Sequence, residues 1–151
     1  GTRTPIMVRW TGKVKPAIST TPVSSIDMVP TVFHALNMKP TADMRGLNLL
    51  DKKAIETRKF IYGEIFLHNA VDTFEPGKNL TYRWGIEAGW KLILPHKKNV
   101  TTRAAKGAKG DGAIELYHLA KDPHETKNLA KQNPAKVAHL RKLINAEWNG
   151  K

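Results

Sequence analysis

The residues of this 151-residue chain that could act on a substrate are six histidines and a scattering of hydroxyl side chains. The chain has no Cys, which excludes thiol nucleophiles, disulfides and thiolate metal clusters. No Ser lies in a Gly-x-Ser-x-Gly turn, the spacing that exposes a catalytic hydroxyl in one large class of hydrolases. The sequence therefore shows no recognisable nucleophile, and we predict no catalytic residue within it.

The histidines do not form a metal-binding motif. They occur singly, without a His-x-x-x-His pair, and the sequence has no Asp-Asp or Asp-Asn pair. Divalent cations need several ligands that converge on one point, so we predict no metal site. His68 differs from the other five because it follows a predicted strand and opens an eleven-residue loop, a place where ligand-binding residues are common. We treat it as a candidate ligand-binding residue; the alternative is a surface histidine without a role.

Charge is the strongest compositional feature. The chain has 25 Lys and Arg against 13 Asp and Glu, a net charge of +12. Five of the basic residues lie in the segment 97–112, which we expect to be a mobile loop. Base stacking needs aromatic side chains within such a basic segment, and here Trp84, Trp90 and Tyr117 fall in predicted strands instead. Nucleic-acid binding is therefore only a secondary interpretation of the charge. We expect no membrane partner, because no apolar stretch approaches the roughly 18 residues of a spanning helix.

A strand and a helix are predicted in the first quarter of the chain. Residues 5–10 form a short apolar run bounded by turn residues, a pattern typical of a buried strand. The helix is predicted to use Asp27 as its N-cap, with Pro30 in the first turn, and to end at Asn37 and Pro40. Its apolar side chains recur every three or four residues on one face: Val29, Val32, Phe33 and Leu36.

Four strands and a final helix are predicted in the rest of the chain. The strands are 60–67, 81–87, 90–94 and 114–119, with a hairpin turn at Ala88-Gly89. Their short connections favour an antiparallel sheet. The helix has Asn133 at its cap, Pro134 at its first position and Gly150 beyond its end. Its apolar face would cover the sheet.

These elements predict an α+β fold. About four antiparallel strands are packed by the C-terminal helix and preceded by one strand and one helix. The segment 39–59 is polar and lacks sustained periodicity, so it marks the boundary between two domains. We place the first domain at 1–58 and the second at 59–151.

One segment of the chain resembles a known family. Residues 115–129 fit the pattern Glu-Leu-Tyr-x-Leu-x-x-Asp-Pro-x-Glu-x-x-Asn-Leu at every specified position. This is similar to the C-terminal signature of the formylglycine-dependent (type I, arylsulfatase-like) sulfatases of the alkaline-phosphatase-like superfamily. Asp122-Pro123 would make a turn, Glu125 and Asn128 would bond backbone groups, and Leu129 would return to the core.

Further segments resemble the same family in the same order. Residues 1–5 match Gly-x-Arg-x-Pro, and residues 27–31 match the helix entry Asp-x-x-Pro-Thr. Residues 46–49 resemble Gly-x-Ser-Leu with Asn48 in place of Ser, and Thr11 stands where Pro often follows Trp. The resemblance covers nearly the whole chain. It implies that 1–58 is the end of the large α/β sulfatase domain and 59–151 the C-terminal subdomain.

The resemblance also shows what this chain lacks. In the family, the nucleophile is a formylglycine made from Cys or Ser within Cys/Ser-x-Pro/Ala-x-Arg, and carboxylates bind calcium. This chain contains no such motif. Calcium and formylglycine are therefore expected in a full-length parent that hydrolyses sulfuric esters, and neither is expected in this chain. We predict that the chain alone neither hydrolyses aryl sulfates nor binds calcium tightly.

The family's C-terminal subdomain borders the substrate cleft, which makes His68 and Arg83 candidate substrate-binding residues. The alternative for Arg83 is an ion pair with a neighbouring carboxylate. The implied partner is a sulfate-ester substrate, held through the missing N-terminal portion, and the positive charge would attract sulfated polysaccharides. A basic module that binds sulfated glycans or nucleic acid without catalysis is the alternative function. The implied location is secreted, periplasmic or lysosomal.

Overall fold

The computed structural model describes residues 4–96 and 112–148, so nearly all of the predicted basic loop at 97–112 lies outside the described residues. The chain divides into two compact units, an N-terminal unit at Gly1–Ile61 and a C-terminal unit at Tyr62–Lys151. The predicted domains at 1–58 and 59–151 concern a parent enzyme, and they stay a prediction. The helices and strands are α1 (Met28–Ala35), α2 (Lys52–Glu56), β1 (Phe60–Phe66), β2 (Leu80–Glu87), β3 (Trp90–Pro95), β4 (Glu115–His118) and α3 (Pro134–Glu147).

The four strands form one antiparallel sheet in the order β1-β2-β3-β4, which confirms the predicted α+β fold. In the β2–β3 hairpin, Glu87 lies opposite Trp90. The two turn residues, Ala88 and Gly89, have φ angles of 47° and 77°. Two successive positive φ angles are typical of a type I′ turn, whose twist matches that of the strands it joins. The predicted turn at Ala88-Gly89 is confirmed.

Helix α3 packs on strands β2 and β3. It begins at Pro134, as predicted, and its Leu140 side chain is wholly buried. Leu92 of β3 lies opposite Leu116 of β4, and both are also wholly buried. Each such side chain stabilises the fold by roughly 1.5–3 kcal/mol. The helix ends at Glu147, whereas Gly150 of the predicted stop lies outside the described residues.

Helix α1 begins after a 3-10 turn at Ser25–Asp27 and places Pro30 in its first turn, as predicted. Asn37 follows the helix with a φ of 57°, the left-handed conformation that commonly ends helices. The predicted apolar side is largely exposed: Val29, Val32 and Leu36 are each more than half exposed. The apolar spacing therefore predicted a helix correctly, but most of this face is not part of the core.

The predicted strand at 5–10 is wrong. Residues 4–10 have no regular secondary structure, and the Met7 side chain is 87% exposed. A strand needs a neighbouring strand to satisfy its backbone N–H and C=O groups. No strand pairs with this segment in the described part of the chain. Its apolar composition alone could not supply that partner.

Asp27 occupies the N-cap position of α1, as predicted, but its side chain makes no capping hydrogen bond to that helix and is instead a buried anchor of the N-terminal unit. Its carboxylate accepts hydrogen bonds from Arg58 Nη1 and Nη2 at 2.5 and 2.6 Å, and from the backbone N–H groups of Leu47 and Ser24 at 2.8 Å. Burial alone would raise the pKa of Asp27, but the hydrogen bonds from Arg58 and the two N–H groups outweigh it and lower that pKa. The carboxylate thus ties the helix entry to two later segments.

The segment 46–49 is held against the entry of α1. Leu49 N–H donates to Thr31 Oγ1 at 2.8 Å, two residues after the Leu47 N–H that bonds Asp27. A Cβ on Gly46 would lie 2.1 Å from the Ile26 carbonyl oxygen, so only glycine permits this approach. These contacts give the Asp-x-x-Pro-Thr and Gly-x-x-Leu segments a common structural role.

None of the helices within residues 4–96 and 112–148 has both the length and the apolar character that crossing a bilayer requires.

Candidate functional site

His68 lies just beyond the end of β1, at the start of the loop that leads to β2, and is exposed. The neighbouring Leu67 N–H donates to the carbonyl oxygen of Asn79 at 2.7 Å, which joins the two ends of this loop. The backbone beside His68 is therefore anchored, while its imidazole faces solvent. That is the position expected of a residue that meets a ligand from outside.

The 69–79 loop is held together by two side chains. The buried Asn79 accepts from the N–H groups of Val71 and Asp72 at 2.5 and 3.1 Å, and its Nδ2 donates to the Asp72 carbonyl oxygen. The Asp72 carboxylate accepts from the N–H groups of Phe74 and Glu75. The loop therefore has an ordered backbone and a solvent-facing apolar tip, with Val71 70% and Phe74 94% exposed.

Arg83 lies on β2 and is partly buried. Its Nη1 donates to Asn145 Oδ1 at 2.9 Å and to the Trp148 carbonyl oxygen at 2.6 Å. Burial lowers the pKa of Arg83, opposed by the charge of Glu64; a guanidinium nevertheless stays protonated. Arg83 thus fastens the sheet to the end of α3. In the described residues, no hydrogen bond or ion pair joins it to His68.

Glu64 is the carboxylate whose charge acts on the pKa of Arg83. The sequence analysis did not name this residue. Burial raises the pKa of Glu64, the Arg83 charge lowers it, and the Glu147 charge raises it again. The signal was present in the sequence, because Glu64 is the one charged residue in the apolar run 60–67. The alternative role expected for Arg83 was an ion pair with a neighbouring carboxylate. The structure shows a related effect, an electrostatic interaction between Arg83 and Glu64.

The turn of the 115–129 segment forms as predicted. The Asp122 carboxylate accepts hydrogen bonds from the N–H groups of Thr126 and Lys127 at 2.8 and 2.9 Å. These bonds from Lys127 and Thr126 lower the pKa of Asp122. Asn128 Oδ1 accepts from the N–H groups of Leu116 and Ala130, and its Nδ2 donates to the Ile114 carbonyl oxygen. Asn128 therefore bonds backbone groups, as expected.

Glu125 departs from that expectation, because its side chain bonds a cation. Lys91 Nζ lies 2.8 Å from both carboxylate oxygens of Glu125, and Lys91 is only 8% exposed. A charge so far removed from water requires such a partner. Glu125 also has a φ of 55°, a left-handed backbone conformation within the turn. The residues of the segment 115–129 described above therefore hold the fold together.

Residues 1–147 of the chain match the model of a protein family described as N-sulphoglucosamine sulphohydrolase, C-terminal. That match covers far more than half of the sequence, and it includes the 115–129 segment.

The chain belongs to the sulfatase family, as a C-terminal part.

Two relatives of this sulfatase region have recorded activities. An N-acetylgalactosamine-6-O-sulfatase of Bacteroides thetaiotaomicron is 31% identical over 151 residues, covering 95% of this chain and 27% of the relative. An ulvan-active sulfatase of Formosa agariphila is 29% identical over 159 residues, covering 95% of this chain and 32% of the relative. The chain spans about a quarter to a third of the length of the curated relatives it matches.

The fold agrees with solved structures. One from Bacteroides thetaiotaomicron, described in connection with the metabolism of multiple glycosaminoglycans, superposes with a TM-score of 0.65 at 26% identity. The match covers 91% of this chain and 27% of the solved one. The predicted C-terminal sulfatase region of the alkaline-phosphatase-like superfamily is confirmed.

The groups that sulfatases use for catalysis do not fit the residues of this region. In the described residues, no cluster of three or more His, Cys, Asp or Glu side chains could hold a metal ion. Two of the less exposed carboxylates, Asp27 and Glu125, are paired with Arg58 and Lys91. The sequence has no Cys, and none of its Ser residues lies in the formylglycine motif. We therefore derive no catalytic step from these side chains.

Proposed function

We propose that this chain is the C-terminal region of a sulfatase that acts on a sulfated carbohydrate, and that it is inactive by itself. The observation that carries the proposal is the family match over residues 1–147 in a chain without Cys or a formylglycine motif. The activities recorded for the two relatives, on N-acetylgalactosamine-6-O-sulfate and on ulvan, support a carbohydrate substrate. Calcium and formylglycine would be supplied by the rest of the parent enzyme.

In this proposal His68 and Arg83 are both substrate-binding residues. The support for His68 is its exposed imidazole on an anchored backbone. The support for Arg83 is its positive charge. Both of the hydrogen bonds that hold it are donated by Nη1, and a guanidinium has further N–H donors that could bind a sulfate. A sulfate or hydroxyl group bound by His68 would position the sugar, whereas the sulfur would react elsewhere in the enzyme. The family resemblance also supports a secreted, periplasmic or lysosomal location.

The test compares the purified chain with a chimera, in which the chain replaces the matching region of the Bacteroides N-acetylgalactosamine-6-O-sulfatase. Sulfate released from N-acetylgalactosamine-6-sulfate is measured by ion chromatography. We expect release by the chimera and none by the chain alone. Release by the chain that scales with protein concentration contradicts the inactivity. A folded, monodisperse chimera that releases no sulfate contradicts the sulfatase role.

His68→Ala in the chimera tests the substrate contact. A lost hydrogen bond to a charged group is worth roughly 1.5–3 kcal/mol, so we expect KM to rise about tenfold or more, with a smaller change in kcat. His124→Ala is the matched control, because His124 is also exposed but lies in the 115–129 turn. Equal KM values for the two variants would remove His68 from the site.

The net charge of +12 favours a second candidate, a polyanion-binding module without catalysis. Binding that depends mainly on phosphate or sulfate charge weakens steeply as salt rises. We would measure binding of the chain to heparin and to a non-sulfated acidic polysaccharide between 50 and 500 mM salt. Salt-dependent preference for heparin at matched charge supports this module, and no binding to either polymer eliminates it.

A further inference from the structure

A groove of about 340 Å³ lies on the surface of the N-terminal unit. Sites for small ligands commonly have volumes of about 300–1,000 Å³, so this groove is large enough for one small ligand. Its walls combine one aromatic ring, three aliphatic side chains and two cations: Trp10, Val14, Leu49, Leu50, Lys13 and Lys15. Apolar walls with a few charged groups are typical of sites that bind small molecules with a polar and an apolar part.

One side of the groove is a tight turn. The Trp10 carbonyl oxygen accepts hydrogen bonds from the N–H groups of Lys13 and Val14 at 3.1 and 2.9 Å. Gly12, within the turn, has a φ of 76°, a conformation that glycine adopts at little cost. Because the chain folds back at this turn, one indole ring and the side chains of Lys13 and Lys15 line the same groove.

The two leucines of the groove lie on a backbone that polar side chains hold. Leu49 N–H donates to Thr31 Oγ1 at 2.8 Å, and Leu50 N–H donates to Asn48 Oδ1 at 3.0 Å. Thr31 is buried, so the first of these bonds ties the groove to the interior of its unit. A ligand therefore meets walls that are largely in place, which lowers the entropy cost of binding.

The charge of the groove is positive. Lys13 and Lys15 are exposed, and neither forms a salt bridge with any residue that the structure describes. Residues 1–26 contain four Lys and Arg and no Asp or Glu. Asp51, the acidic residue next to Leu50, accepts a hydrogen bond from Ala54 N–H at 3.0 Å and so caps α2. The groove should therefore attract an anion.

We propose that this groove binds one sulfated sugar unit, with its sulfate group on the ammonium groups of Lys13 and Lys15 and its ring on the indole of Trp10. A sulfated sugar matches both chemistries of the walls. Its sulfate is anionic, and one face of its ring carries C–H groups that pack on an aromatic ring. The proposal rests on the proposed function for the choice of a sugar over other anions. It adds a binding site made of residues other than His68 and Arg83.

The experiment uses the chain itself and measures binding, so it does not depend on activity. N-acetylgalactosamine-6-sulfate is titrated into the isotope-labelled chain, and NMR follows the indole N–H signal of Trp10, which the Trp10→Leu variant assigns. We expect this signal to shift with the sulfated sugar and much less with N-acetylgalactosamine. Lys13→Gln, Lys15→Gln should weaken binding at least tenfold. Lys39→Gln, Lys59→Gln is the matched control, because both lysines are exposed in the same unit but do not line the groove.

The Trp10→Leu variant separates the role of the ring from that of the charge. Followed through the backbone N–H signals of Lys13 and Val14, it should bind the sulfated sugar more weakly and inorganic sulfate as well as the unsubstituted chain does. Circular dichroism shows whether each variant is folded. If Trp10→Leu is unfolded, the two lysine double variants still decide the proposal, since they change only exposed side chains.

Three results would overturn the proposal. The first is that the sulfated sugar shifts no signal of the groove. The second is an equal loss of affinity in both lysine double variants, which would show attraction by net charge alone. The third is that adenosine monophosphate binds as tightly as the sulfated sugar, which would show a general anion site. A chimera that releases no sulfate, while the chain still binds the sugar, contradicts the proposed function and leaves the groove as a binding site.

Discussion

The two units of this chain bury apolar surface to very different extents. Among the described residues, the C-terminal unit holds nine of the ten buried hydrophobic side chains of the core, and the N-terminal unit holds Ile55 beside the buried Pro30. The distribution of exposed large apolar side chains is the reverse, with ten of fourteen in the N-terminal unit. The C-terminal unit has a hydrophobic core made of its own residues. In the N-terminal unit, most of these large apolar side chains are exposed.

The difference shows that a segment can form secondary structure without burying its apolar side chains in a hydrophobic core. Helix α1 forms with its expected bounds although most of its apolar side chains face solvent. Its position is set by polar contacts, chiefly the buried pair between Asp27 and Arg58. In the C-terminal unit, by contrast, apolar contacts between α3 and the sheet position the elements. Substitutions in the two units should therefore act through different interactions.

The largest effect is expected at the polar anchor of the N-terminal unit. Arg58→Leu leaves the wholly buried Asp27 carboxylate without its cation, and breaking a buried pair in this way costs about 3–5 kcal/mol. The free energy of unfolding is measured by urea titration followed by circular dichroism. Lys52→Leu is the control, because the Lys52–Glu56 pair is largely exposed and contributes less than about 1 kcal/mol. Equal losses in the two variants would show that the anchor does not hold this unit.

The next effect is expected in the core of the C-terminal unit. Leu92→Ala removes a wholly buried side chain and should lower the free energy of unfolding by about 2–5 kcal/mol. Leu36→Ala makes the same chemical change at a side chain that is 63% exposed, and should change it by about 0.5 kcal/mol or less. The same urea titration serves for both. A loss at Leu36 as large as that at Leu92 would mean that α1 is packed within the isolated chain.

The smallest effect is expected in the pH dependence of stability, to which Asp27 and Glu64 contribute with opposite signs. The lowered pKa of Asp27 means that its stabilising contribution is present above the unfolded pKa near 3.9 and is lost as pH falls through the lower, folded value. The free energy of unfolding that Arg58→Leu loses relative to the unsubstituted chain should therefore become smaller in strong acid. The raised pKa of Glu64 has the opposite consequence, because its ionised form is penalised in the folded state.

Glu64→Gln should consequently be slightly more stable than the natural chain at pH 7. The two chains should have equal free energies of unfolding below about pH 4, where the Glu64 carboxyl is protonated in the folded and the unfolded state. Urea midpoints between pH 3 and pH 7 measure both curves. A Glu64→Gln variant that is less stable at pH 7 would indicate that the electrostatic attraction to Arg83 outweighs the burial of Glu64.

Local patterns determined much of the C-terminal unit. The Ala88-Gly89 turn, the start of α3 at Pro134 and the turn at Asp122 depend on residues close together in the sequence, so their signals were readable. The segment 115–129 predicted the family, and the family description that matches residues 1–147 confirmed it. The roles of His68 and Arg83 in substrate binding stay predictions.

Other features depend on residues far apart in the chain, and only the tertiary structure decided them. Asp27 suits a helix cap by its type, but Arg58, 31 residues later, makes it a buried anion. Glu125 looked like a turn residue, yet Lys91 is its partner across 34 residues. The apolar run at 5–10 has a strand's composition without a neighbouring strand. Composition and spacing determine which conformations a segment favours, whereas partners brought together by folding determine which groups are buried, charged or exposed.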